Sequence, residues 1–449
     1  MAKLLSPAGF WIRAGLGLAV TASLLWLPRA VDAQHVFPRA VFASKKKDAP
    51  PPPPPVRATV QPSFTIAAEP LGFSSPGTFY LGMRNSLVSL DFLGEDRLLF
   101  TFRVPGLIHR AANSDRSETE RNIRAIVLHL PDGAVEAEAL WTLHDRARYI
   151  YPLGSGKFLL RDQNTLQLGD DSLQLNPYLQ FPGPVLWVEL DPSGRYVVTQ
   201  SSEPPNRASR PGEVSSPDAA QAHLASDDQE SGQQSDVILR ILRREGAKVM
   251  LVSHVNSPVH LAINADGFLE LLRANGTAWT LNFHHFTGGS TVIGSVDSAC
   301  SPMLNFLSAE EFLTTACTSN GDPKLVAMGM NGRRLWENPS IGPSVWPVLV
   351  TNANGTRMAR ESLLTSHDVN AREPLDVDDI KGQDVQILDA ATGKLVLRAA
   401  ASPIFDAGGN VAISPSGRRV AILMEGNLQI FDLPAPPPVP DVSLTRAGK

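Results

Sequence analysis

"AISPSGRRVAIL" occupies Ala412 to Leu423. It reads as an apolar run, a tight turn rich in Ser, Pro and Gly, and a second apolar run. The same phrase recurs as "VELDPSGRYVVTQ" from Val188 and as "LVTNANGTRMARES" from Leu349. Gly, Asn and Asp tolerate positive φ, so such turns join two antiparallel strands into a hairpin. Alignment on the turn extends the series to "LGEDRLLF" from Leu93, "LGSGKFLL" from Leu153, "NADGFLEL" from Asn264 and "LSAEEFLT" from Leu307, seven copies in all. Most copies carry a second turn downstream: "LPDGAV" from Leu130, "RREGAK" from Arg243, "MNGRRL" from Met330 and "ATGKLV" from Ala391. Two hairpin turns per unit require four strands per unit.

Between the Pro-rich ends, period-2 apolar patterns dominate. Residues 64–433, less their polar insertions, give roughly 45 residues per unit, the spacing of propeller blades. A β-sandwich has no need of seven internal copies. The expected fold is therefore all-β: a seven-bladed β-propeller with four antiparallel strands per blade. The last unit supplies only three strands, at 410–414, 419–424 and 428–433, before the chain turns to prolines. "FTIAAE", Phe64 to Glu69, is expected to complete that blade from the N-terminal side and close the ring.

The motifs carry a resemblance. "ISPSGRRVAIL" and "LDPSGRYVVTQ" resemble the inner hairpins of TolB-type and WD-repeat propellers. "LDAATGKLVLRA", from Leu388, resembles the third-to-fourth strand turn of YVTN and quinoprotein-like propellers. The likeness covers 64–433 and is one of superfamily. It implies the fold and names no substrate. The Trp-Asp dipeptide of WD-repeats and the regular Trp pattern of quinoproteins are both missing, and no cofactor is expected.

The ends set the compartment. Lys3 and Arg13, the apolar "AGLGLAVTASLLWL" and the small residues of "AVDA" read as a signal peptide over 1–33, cleaved after Ala33. That apolar run is shorter than a membrane span needs, so the mature chain is expected to lack a transmembrane segment. Residues 34–63 read as a Pro-rich linker in which Pro50 to Pro55 form a polyproline II spacer behind Lys45, Lys46 and Lys47. Residues 434–449 read as a second Pro-rich tail. The predicted location is secreted or periplasmic. Formal charge is −5, with 40 Lys and Arg against 45 Asp and Glu, which excludes nucleic acid as the main partner.

Three long connections, 104–122, 201–236 and 365–383, each fall between the second and third strands of a blade. Because strand directions alternate, all three are expected on the face where the innermost strands begin. That face is the expected binding side. Residues entering the innermost strands there include Asn85, Arg148, Tyr149, Trp187, His260 and Trp346; two indoles and a guanidinium suit a sugar or aromatic ligand. Metal chemistry has less support. His284 and His285 are adjacent and so face opposite sides of a strand. His254 and His260 add no short motif. "EPLDVDDI" offers Asp376, Asp378 and Asp379 without the EF-hand glycine or terminal Glu, so no metal site is assigned. There is no G-x-S-x-G and no H-E-x-x-H. "LGSGKF" fails as a phosphate loop, with Tyr151 in place of its first Gly and Phe158 after its Lys. No catalytic residue is assigned.

Cys300 and Cys317 are the only cysteines. In an exported chain such a pair is expected to bridge. Pairing Leu307 with Glu310 across the "LSAEE" turn sets them directly opposite each other on the hairpin of the fifth unit. The resulting expectation is an exported, monomeric propeller that binds or scaffolds an envelope or extracellular protein or a small ligand at one face. The alternative is a propeller hydrolase or lactonase with a metal at the channel mouth.

Overall fold

The computed structural model describes residues 56, 58–75, 88–104, 121–144, 148–203, 236–319, 321–339, 344–345, 348–367, 369, 376–405 and 408–437. The proposed signal peptide, most of the proposed linker and the interiors of the three long connections lie outside them. The strands form seven antiparallel sheets of four. Blade 1 spans 88–143, blade 2 150–180, blade 3 185–255, blade 4 262–297, blade 5 303–339 and blade 6 348–401. Blade 7 takes three strands from 411–432 and its outermost one from Phe64–Ala67. The chain is a seven-bladed β-propeller.

Burial follows the radial position of each strand. The second strand of blade 1, Arg97–Arg103, reads RLLFTFR and is buried along its middle. Neighbouring blades cover both of its faces, so an uninterrupted apolar run suits it. The outermost strand, Val135–Leu143, reads VEAEALWTL and alternates, with one face wet. Cores therefore form between blades. Leu99, Ile123 and Trp141 of blade 1 pack with Tyr149, Phe158 and Leu160 of blade 2. Burying one such large side chain contributes about 1.5–3 kcal/mol.

The N-terminal strand pairs with the last strand of blade 7, Phe64 opposite Ile430 and Ala67 opposite Asn427. Phe64 and Ile66 pack on the core shared by blades 7 and 1. Contacts begin ahead of Phe64: the Thr59 amide donates to the Arg398 carbonyl at 2.9 Å, and Asp432 N donates to Ser63 Oγ at 3.0 Å. The ordered propeller thus starts a few residues before the boundary read from sequence, because Thr59 and Ser63 supply partners for blades 6 and 7.

The repeated phrase is the inner hairpin turn of each blade, and the structure shows why it recurs. Asn352 Oδ1 accepts from Arg357 N at 2.8 Å within its own turn, while Nδ2 donates to the Pro415 carbonyl of the next blade at 2.8 Å. Asn264 does the same, accepting from Gly267 N and donating to the Ala309 carbonyl of blade 5 at 3.1 Å. At the seam, Glu95 of blade 1 accepts from the Ser416 amide and hydroxyl of blade 7, both at 2.6 Å. Gly355 has φ +63°, and a Cβ there would lie 1.7 Å from the Leu307 carbonyl oxygen of blade 5. The glycine is required both by its backbone conformation and by the closeness of the adjacent turn.

Cys300 and Cys317 form a disulfide with Cα atoms 5.5 Å apart. The expected register needs correction. The Leu307 and Ser308 amides both donate to the Glu311 carbonyl, so the turn closes one residue later than Glu310. Met303 therefore faces Thr315. Cys300 lies ahead of the strand Met303–Phe306 and reaches Cys317 from outside the ladder.

Candidate functional site at the channel entry

The three long connections leave the strand ends Arg103, Glu203 and Thr365 and return at Arg121, Asp236 and Ile380. Each joins the second and third strands of its blade, and these strand ends lie on the side where the innermost strands begin. Two polar clusters extend from that side along the inner strands.

The first cluster spans blades 1, 2, 6 and 7. Asp91 lies on the innermost strand of blade 1, Val88–Phe92, and accepts a hydrogen bond from the Ser89 hydroxyl two residues earlier. Burial pushes its carboxyl up to about 6, against the opposing pull of the Arg148 guanidinium and of Ser89. Glu361 lies on the second strand of blade 6, Arg357–Thr365, and is 2% exposed. Its Oε2 accepts from Gln383 Nε2 at 3.0 Å, and its Oε1 has no hydrogen-bond partner. Burial pushes this carboxyl up to about 8, again opposed only by the charge of Arg148. Gln383 is itself fixed by Asn410, whose Nδ2 donates to Gln383 Oε1 at 2.9 Å and to the Pro403 carbonyl at 3.1 Å. The Glu361 carboxyl rests against Gly408: a Cβ there would meet both of its oxygens at 3.5 Å.

The second cluster spans blades 3, 4 and 5. Trp187 and Glu189 lie on the innermost strand of blade 3, Val185–Leu190, and His260 just ahead of that of blade 4. One carboxylate oxygen, Glu189 Oε2, takes the Trp187 Nε1 hydrogen bond at 3.3 Å and lies 3.2 Å from His260 Nδ1. His260 Nε2 donates to the Leu304 carbonyl of blade 5. Burial alone would lower the imidazole; the Glu189 carboxylate and the Leu304 carbonyl outweigh it and hold the pKa above its usual value. The Trp187 ring meets His260 edge to face with centroids 6.0 Å apart and is 40% exposed.

Of the residues singled out from sequence, Arg148 lies two residues ahead of the innermost strand of blade 2, Trp187 is the third residue of that of blade 3, and His260 lies two residues ahead of that of blade 4. Tyr149 lies in the interior: it is fully buried, its hydroxyl pairs with Thr101 Oγ1 at 2.7 Å, and the Arg121 guanidinium covers its ring at 5.3 Å. It directly precedes the strand Ile150–Gly154, and neighbours along an extended chain point opposite ways, so one member of the Arg148–Tyr149 pair faces the blade 1 core. Asn85 and Trp346 lie outside the described residues. Asp379 accepts from Ser366 Oγ at 2.9 Å, and Asp376 caps the Asp378 amide at 3.2 Å, local turn bonds within one loop. Among the described residues no group of three His, Cys, Asp or Glu converges as a metal site would. Sequence reading missed Asp91, Glu189 and Glu361. For Asp91 the signal was a charged residue inside an otherwise apolar stretch, "SLVSLDFL"; "RMARESLL" around Glu361 carries two arginines besides and gave no such signal.

No family model matches the sequence, and no curated protein matches it significantly. Solved structures do. The WD40 domain of Toxoplasma gondii coronin matches with TM-score 0.47 at 12% identity, over 87% of this chain and 90% of that one. The Pyrococcus horikoshii acylaminoacyl peptidase matches with TM-score 0.47 at 9% identity, over 80% of this chain and 53% of the peptidase. TolB from Acinetobacter baumannii matches with TM-score 0.35 at 12% identity, over 74% of this chain and 81% of that one. These matches concern the propeller fold and carry no activity across.

Among the described residues no helix is long and apolar enough to cross a membrane.

Proposed function

We propose that this chain is an exported propeller that acts as a binding or scaffolding module, with the entry face as its binding side. The observation that carries this reading is a pair of buried carboxyl groups, Asp91 and Glu361, inside the ring. The turn face uses its hydrogen-bonding side chains to join blade to blade. The fold also buries Glu361 with one oxygen unpartnered and Asp91 with a hydrogen bond from the Ser89 hydroxyl two residues away. Retaining such groups costs stability, and sites that bind ligands are where folds accept that cost. The exposed Trp187, fixed by Glu189, adds an aromatic surface on blade 3.

The test is capture of binding partners by immobilised full-length protein from an extract of the cells that make it, repeated with Trp187→Ala. The reading expects a partner retained by the wild type and lost from the variant. Equal retention by both removes the entry face as the binding side. Export is tested separately by the N-terminus of the protein recovered outside the cytoplasm: Gln34 is expected, and an intact Met1 contradicts it.

A further inference from the structure

Arg148 belongs to blade 2, Asp91 to blade 1 and Glu361 to blade 6. Blades 2 and 6 are not neighbours in the ring; blades 1 and 7 stand between them. The Arg148 charge nevertheless acts on both carboxyl groups.

Three contacts hold Arg148 in place. Arg148 Nε donates to the Ile150 carbonyl at 3.1 Å. The guanidinium lies over the Tyr151 ring, 5.1 Å from its centroid. The Tyr151 hydroxyl donates back to the Arg148 carbonyl at 3.1 Å. The side chain is exposed, and its two η nitrogens have no hydrogen-bond partner among the described residues. An arginine oriented in this way has already lost much of its rotamer freedom, which favours planar, two-pronged recognition of an oxyanion.

We propose that Arg148 anchors a site at the channel entry for a carboxylate group, carried by a small acid or by an acidic side chain of a partner protein. The inference rests on the entry face being the binding side and names the chemistry it takes. The opposite wall explains why the guanidinium remains available. Glu361, pushed up to about 8 by burial, is neutral at pH 7 and does not neutralise it. Its Oε2 accepts from Gln383 and its Oε1 has no hydrogen-bond partner. Asp91, pushed up to about 6, is mostly ionised at pH 7 and is felt by Arg148. That charge opposes a phosphate dianion more than a carboxylate monoanion.

The test titrates full-length protein at pH 7 and low salt with succinate, with succinamide, with inorganic phosphate and with an acetylated Asp-containing peptide amide, following heat by calorimetry. Saturable binding of succinate or of the peptide is expected, with no binding of succinamide. Arg148→Gln is expected to weaken the carboxylate by about tenfold or more, and Arg148→Lys by less, because the ammonium keeps the charge without the fork. Thermal midpoints of both variants, measured alongside, verify that they fold. The tighter of succinate and peptide identifies the source of the carboxylate. The site is overturned if Arg148→Gln binds as well as the wild type, if succinamide binds like succinate, or if phosphate binds more tightly than either carboxylate. Such a failure with partner capture still lost in Trp187→Ala removes this inference and leaves the entry face as the binding side.

Discussion

On the turn face, Asn352 uses both ends of its amide, one inside its own turn and one on Pro415 of the next blade. On the entry face, Glu361 uses one oxygen on Gln383 and leaves the other without a partner. Both residues are buried, at 4% and 2% exposure, so burial does not separate them. Partnership does. The repeated turns carry the ring's mechanical continuity, and selection for stability alone accounts for them. The entry face departs from the repeat, and its polar groups differ from blade to blade: Asp91, Arg148, Glu189 with His260, and Glu361. A repeat protein keeps its common features for folding and its irregular ones for recognition.

The largest test removes what both faces share. Deleting residues through Glu69 strips the strand Phe64–Ala67 from blade 7, exposes the edge of Asn427–Asp432 and takes Phe64 and Ile66 from the core. The expected outcome is loss of cooperative unfolding, or a melting temperature lower by roughly 10 °C or more. Deleting only through Val60 removes the Thr59 contacts with Arg398 and is expected to lower it by no more than about 2 °C. Equal melting of the two truncations would mean that the ring does not depend on the latch.

A sharper test concerns the turn face alone. Gly355→Ala places a Cβ against the Leu307 carbonyl at positive φ. A destabilisation of about 3 kcal/mol is expected from chemical denaturation, combining backbone strain with overpacking. A change near zero would show that the turns of blades 5 and 6 move apart freely, and that the turn face is not the rigid side.

The entry face predicts the opposite sign. The Glu361 carboxyl is raised in the fold, so the folded state holds its proton longer than the unfolded state does. Stability is then fully present below the ordinary glutamate pKa, 4.5, and declines as pH rises toward about 8. Glu361→Gln removes that decline. Its melting temperature is expected to match the wild type near pH 4 and to exceed it by about 2 °C or more at pH 8. A variant that is less stable at every pH would show that Glu361 has a structural partner and would erase the contrast between the two faces.

The smallest effect belongs to His260. Its pKa is raised by Glu189 and Leu304 against burial, so its contribution is fully present below 6.5 and is lost as pH rises through the raised value. His260→Gln is expected to cost about 1 kcal/mol at pH 6 and less at pH 9. A constant cost across that range would mean that the imidazole is neutral and that its contact with Glu189 is not an ion pair.

The fold was legible because its evidence is periodic. Seven copies of one turn report themselves, and the fixed φ demands of Gly and Asn tie each copy to a hairpin. The disulfide was legible as a pair, but its register was not. A hairpin's register depends on which residue closes the turn, and "LSAEE" admits closure at Glu310 or at Glu311. The positions of Arg148, Trp187 and His260, at or just ahead of the first residues of innermost strands, were legible because the repeat locates those strands. Asp91 and Glu361 were not, because each sits within a strand, and the proximity of blades 1, 2 and 6 across the opening is a property of the closed ring. Tyr149 was misplaced for a related reason. Period-2 alternation shows that neighbours face opposite ways, and it does not say which way is inward.

The central claim is that the entry face binds and the turn face does not. Hydrogen–deuterium exchange on the protein with its captured partner bound measures this directly. Added protection is expected over Val185–Leu190 and across the start of the strand Met303–Phe306, with exchange unchanged in the turns at 352–357 and 414–419. Protection confined to those turns, with the entry strands unaffected, would contradict it.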